Sequence, residues 1–110
     1  MSNIEYCKAF LSLTKKYDFE ELRFHLLELK ETGENFHHIS FRDTKCLDWI
    51  KSLIHEDRSK LGKAIAVYED AFGHGGGSVT ILRYIFSEQD PKDHETLDWI
   101  THNTSAYDYF

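Results

Sequence analysis

Three side chains near the C-terminus have the spacing that a metal site on one helix face would use. His94, Asp98 and His102 recur every four residues, so on a helix they line one side, opposite Leu97 and Ile100. A helix that grips zinc for hydrolysis needs histidines at both i and i+4, with a glutamate as base. The run His94-Glu95-Thr96-Leu97-Asp98 has aspartate at the second of those positions. A solvated polar face is the simpler expectation, with no metal bound.

The glycines Gly73, Gly75, Gly76 and Gly77 form a second feature. Successive backbone amides in such a loop can make a nest for an anion. The loop lacks the Gly-Lys-Ser/Thr ending of a phosphate-binding loop, so it reads more simply as the exit of a core helix. His37 and His38 are adjacent and share no helical face, while His25, His55 and His74 have no partner spacing. No Gly-x-Ser-x-Gly elbow is present. Cys7 and Cys46 are too few and too far apart in sequence for a disulfide framework or a zinc site, and both fall on apolar helical faces. No catalytic residues, metal ligands or cofactor are expected, and the protein is read as a non-enzyme.

The elements that hold these residues follow from apolar periodicity. A first helix runs from Ser2 or Asn3 to about Lys16, with Tyr6, Cys7, Phe10, Leu13 and Tyr17 on one stripe. A second opens at Asp18, with Glu21 completing a capping box, and Gly33 ends it. Glu34 to Arg42 is a connector whose Phe36, Ile39 and Phe41 plug the core. A third helix covers about Asp43 to Asp57, then a tight link at Arg58 and Ser59 leads to a fourth from Lys60. On that fourth helix Leu61, Ala64, Ile65, Val67, Tyr68, Ala71 and Phe72 face inward. Gly62, Lys63, Ala66, Glu69 and Asp70 are expected on the outer side.

Residues 79–86, VTILRYIF, fit helix or strand. Arg83 would break a strand's alternation, which favours the helix, while the β-branched content favours the strand. Asp90-Pro91 starts a last helix that reaches about His102. Leu47-Asp48-Trp49-Ile50 recurs as Leu97-Asp98-Trp99-Ile100, too short an echo to define a repeat. The expected fold is all-α, a single domain over residues 1–110 made of a compact bundle of five to six helices with one Gly-rich loop. The alternative is α+β, if residues 79–86 form a strand.

The far side of the second helix carries an unusual cluster. Glu20, Glu21, Glu28 and Glu31 gather there, with Phe24 in their midst and Leu27 at the edge. Either Phe24 and Leu27 pack on a second neighbouring helix, or Phe24 is an exposed aromatic anchor ringed by acids. Burying a face with four carboxylates without partners is costly. A second acidic-aromatic patch is the tail, Tyr107, Asp108, Tyr109 and Phe110.

The 110 residues hold 13 basic and 19 acidic side chains, a net charge of −6. That balance disfavours nucleic-acid binding, which depends on phosphate neutralisation by Lys and Arg. It suits solubility or a basic protein partner. No apolar run is long enough to span a bilayer and no secretory signal opens the chain. A cytoplasmic location is expected.

The segment CLDWIKSLIHEDRSKLGKAIAVYEDAFG, residues 46–73, resembles a helical segment of small bacterial immunity proteins. Those proteins neutralise polymorphic or contact-dependent-inhibition toxins. Gly62, Ala64, Ile65 and Tyr68 match its spacing, and Lys60 stands where that family has aspartate. The motif is structural and assigns no toxin-contacting residue. The resemblance implies an inhibitor that forms a heterodimer with a basic toxin domain, such as a nuclease, and is otherwise monomeric. The residues expected to bind that partner are Glu20, Phe24, Glu28 and Glu31, with Tyr107, Asp108, Tyr109 and Phe110. Two other classes stay open. One is a helical adaptor with an apolar groove; the other is a small enzyme using His94, Asp98 and His102 or the glycine loop.

Overall fold

The computed structural model describes residues 2–33, 39–41, 43–72, 82, 85, 86 and 89–105, without the side chains of 53–57. Its helices are α1 (Asn3–Ser12), a 3-10 turn (Leu13–Lys15), α2 (Phe19–Thr32), α3 (Thr44–Phe72) and α4 (Pro91–Asn103). No described residue lies in a strand, so the fold is all-α. Within the ambiguous 79–86 stretch, Leu82 and Ile85 are helical, and the Phe86 N–H donates to the Leu82 carbonyl at 2.9 Å. That i to i−4 bond is helical and does not fit a strand ladder. The loop glycines 73 and 75–77, together with His74, Phe36 and Arg83, lie outside the described residues.

Local chemistry sets the helix ends. The Ser2 hydroxyl accepts the Glu5 N–H and starts α1. Asp18 and Glu21 form the capping box: the Glu21 N–H donates to Asp18 Oδ1 at 2.8 Å, and the Asp18 N–H donates to Glu21 Oε1 at 3.3 Å. Gly33 closes α2 at φ +78°, its amide reaching the Leu29 and Lys30 carbonyls. A side chain there would be strained by the left-handed backbone. Asp43 Oδ1 accepts the Lys45 N–H at 2.9 Å and begins α3, and Asp90 with Pro91 begins α4.

One expected boundary is absent. Arg58 and Ser59 do not link two helices; they lie inside α3, which runs unbroken for 29 residues. Their polarity serves a tertiary purpose. Arg58 pairs with the buried Asp93 of α4 at 2.7 Å and with Asp90 at 3.4 Å, and the Thr96 hydroxyl donates to Ser59 Oγ at 2.9 Å. A buried carboxylate needs such a partner, and Arg58 supplies it.

The second half of α3 is the centre of the molecule. Leu61, Ala64, Ile65, Val67, Tyr68, Ala71 and Phe72 are buried as expected, but so are Gly62, Ala66 and Glu69 from the supposed outer side. Only Lys63 and Asp70 of residues 61–72 keep partial exposure. The Tyr68 ring meets Phe10 of α1 at 5.1 Å, Phe41 at 5.2 Å and Phe72 at 4.9 Å between centroids. These are edge-to-face and tilted arrangements that aromatic quadrupoles favour. Burial pushes the Tyr68 phenol upward, and the Ile39 backbone acts in the opposite sense. The connector's Ile39 and Phe41 are buried against the same cluster.

Gly62 allows the Phe86 ring to lie directly on α3. A Cβ built at Gly62 would sit 2.2 Å from two carbons of the Phe86 ring. Gly62→Ala should therefore lower stability by about 1–3 kcal/mol, although alanine is the better helix former by about 1 kcal/mol. Urea unfolding followed by circular dichroism measures the sign.

Asp18 offers a pH-dependent check on the α2 cap. The Glu21 backbone N–H, with the Glu21 side chain and the Glu20 amide, holds the Asp18 carboxyl below its usual range. A lowered folded-state pKa means its stabilisation is complete above the unfolded value of about 4 and is lost as pH falls through the folded value. Asp18→Asn keeps a capping oxygen, so its urea midpoint should fall less than the wild type's between about pH 5 and 2.

Candidate interaction surface

The residues with chemical potential sort into those the fold has enclosed and those it has left outward. His94, Asp98 and His102 are exposed along α4. The His102 Nδ1 hydrogen bonds to the Asp98 carbonyl at 2.7 Å. Among the described residues no three metal-ligating side chains converge. The face reads as a solvated helix side.

Glu69 is the enclosed exception. It is 1% exposed, and neither carboxylate oxygen has a hydrogen-bond partner among the described residues. It lies on the α3 side that also carries Gly62 and Ala66. Sequence polarity placed it in solvent, whereas the fold encloses it.

The outward cluster lies on α2. One residue per 100° puts Glu20, Phe24, Leu27, Glu28 and Glu31 within a sector of about 100°, extending about 16 Å along the axis. All five are exposed, Phe24 by 63% and Leu27 by 40%, and they are the large apolar side chains most open to solvent among the described residues. Phe24 and Leu27 therefore do not pack on a second helix. Glu21 is also exposed, but its carboxylate is engaged in the capping box.

The rest of α2 explains why this sector stays outward and unneutralised. Leu22 and Leu26 are fully buried against α3, with Phe19 and Leu29 half-buried beside them. The helix's two permanent cations are engaged elsewhere. Arg23 reaches Asp70 of α3 at 3.7 Å and donates to the Asn103 carbonyl at the end of α4. Lys30 donates to the Ala71 carbonyl at 3.2 Å, where the last turn of α3 presents its negative dipole end. Asp70 also accepts the Ser105 N–H and hydroxyl at 3.0 and 2.8 Å. At the other end of α2, Phe19 meets Trp99 at 5.2 Å, and Lys63 Nζ lies over both rings at 5.8 and 5.0 Å. These contacts hold both ends of α2, and its acids face water without an internal ion pair among the described residues.

Tyr107, Asp108, Tyr109 and Phe110, the second expected patch, lie outside the described residues. Comparison with protein-family models, curated proteins and solved structures finds no match to this chain. No helix among the described residues is long and apolar enough to cross a membrane.

Glu69 and the α2 sector make opposite predictions about stability. Glu69→Met replaces unpaired buried oxygens with an apolar chain of similar length and should stabilise the protein by about 1–3 kcal/mol. Phe24→Ala removes an exposed ring and should change the urea midpoint by no more than about 0.5 kcal/mol.

Proposed function

We propose that the protein is a non-enzymatic inhibitor of the immunity-protein kind that binds a basic protein, a toxin domain, through the outward sector of α2. The observation that carries this reading is Phe24, exposed by 63% amid Glu20, Glu28 and Glu31, on a helix whose cations are turned to other partners. An exposed aromatic ringed by like charges suits an interface anchor: acids accelerate encounter with a basic surface, and the desolvated ring prolongs the complex. The net charge of −6 acts in the same direction. The spacing of Gly62, Ala64, Ile65 and Tyr68 supports it independently through the resemblance stated above. A helical adaptor with an apolar groove fits less well, because the exposed apolar residues of α2 are two and are ringed by carboxylates. The tail residues Tyr107, Asp108, Tyr109 and Phe110 belong to the same proposal as a second contact.

The experiment pairs the protein with the product of the adjacent upstream gene, tested for a basic toxin domain, and measures binding by surface plasmon resonance. Glu20→Lys with Glu28→Lys should lower the association rate about tenfold or more at low salt, with the difference shrinking as ionic strength rises. Phe24→Ala should instead speed dissociation about tenfold at any salt. Unchanged affinity in both variants, with stability intact, would sink the assignment.

A further inference from the structure

The outward sector of α2 has an order beyond its charge. Glu20, Phe24, Leu27 and Glu31 are spaced four, three and four residues apart. At that spacing one helix meets another along a seam, with flanking positions carrying complementary charges. All four are exposed, and the exposed Glu28 occupies such a flank. The seam lies directly opposite Leu22 and Leu26, which bury α2 in the core. Its two edges are held down. Arg23 and Lys30 on one edge reach α3, and His25 on the other stacks on Tyr17 with ring centroids 5.0 Å apart.

Few shapes fit such a surface. An extended segment binds chiefly through its backbone, to the free edge of a sheet. α2 is regular over its 14 residues, so its interior amides and carbonyls are spent within the helix. A deep groove encloses a helix from several sides, whereas the exposed sector covers about 100°. A second copy of this chain would set Glu20, Glu28 and Glu31 against the same acids, between molecules that each carry a charge of −6. A basic helix meets none of these obstacles.

We propose that the α2 seam docks one amphipathic helix of the partner, about three turns long, with two apolar side chains set between lysines or arginines. This rests on the function proposed above for the place of the interface and adds the shape of what binds there. The spacing of the seam sets the partner helix at a shallow angle of about 20° to α2. Its apolar side chains pack around Phe24 and Leu27. Its cations lie against Glu20 and Glu31 at the seam ends and Glu28 at the flank. The middle turn, where water is displaced, holds the complex together, and the charged ends fix its register.

The test uses the full-length chain and three synthetic peptides of about fourteen residues, enough for the seam and its ends. The first is held helical by a staple on its far side and places lysine, leucine, leucine and lysine four, three and four residues apart. The second keeps the composition and the staple but turns the leucines to the side opposite the lysines. The third repeats the first sequence unstapled in alternating D and L residues, which keeps the charge and forbids the helix. Fluorescence anisotropy measures affinity, and nitrogen–proton correlation spectra locate the contact.

The first peptide should bind about tenfold or more tighter than either control, and the shifted amides should be those of α2. Phe24→Ala should weaken it about tenfold and Leu27→Ala several-fold, with the controls unchanged. Circular dichroism checks that both variants keep the fold. A first peptide that binds no tighter than either control would overturn the inference and leave the acidic surface standing as the binding site. Amide shifts confined to other elements, or no binding by any peptide, would overturn it as well. The inhibitor role fails separately, through a toxin domain whose binding ignores Glu20→Lys, Glu28→Lys and Phe24→Ala.

Discussion

The structure depends on the burial of α3 between Leu61 and Phe72, where all but a narrow strip at Lys63 and Asp70 is enclosed. A helix covered on nearly every side cannot rely on one apolar stripe. Its sides must differ in size as well as polarity. Tyr68 presents bulk toward α1 and the connector, whereas Gly62 presents no side chain and admits Phe86 at close range. The other elements are arranged around that asymmetry. α1 and Phe41 meet the aromatic side, α2 brings Leu22 and Leu26, and α4 docks on Arg58 and Ser59.

What was legible in the sequence was mostly local. The Asp18–Glu21 capping box, Gly33 and Asp90-Pro91 involve residues within a few positions of one another, so their chemistry is contained in the string. The inward stripe of Leu61, Ala64, Ile65, Tyr68 and Phe72 was legible because those residues are apolar and periodic. The unbroken α3 was not. Arg58 and Ser59 look like linker residues until Asp93 and Thr96, more than thirty positions away, supply their partners. Gly62, Ala66 and Glu69 misled for a related reason. Periodicity detects a buried face through large apolar side chains, and this face is buried through small ones.

The α2 sector shows both limits together. The sequence located Glu20, Phe24, Glu28 and Glu31 on one side but left open whether a neighbour covers them. Only the tertiary engagements of Arg23 and Lys30 decide how much positive charge stays near those acids. The meeting of Asn3 with Cys46 likewise needed α1 and α3 to be brought side by side, and no spacing rule contains that.

The division of labour within α2 has an evolutionary consequence. Leu22, Leu26, Arg23 and Lys30 carry its attachment to the bundle, and the outward residues carry almost none. Folding therefore exerts little purifying pressure on Glu20, Phe24, Leu27, Glu28 and Glu31. Such a surface can diversify quickly while the bundle beneath it stays the same.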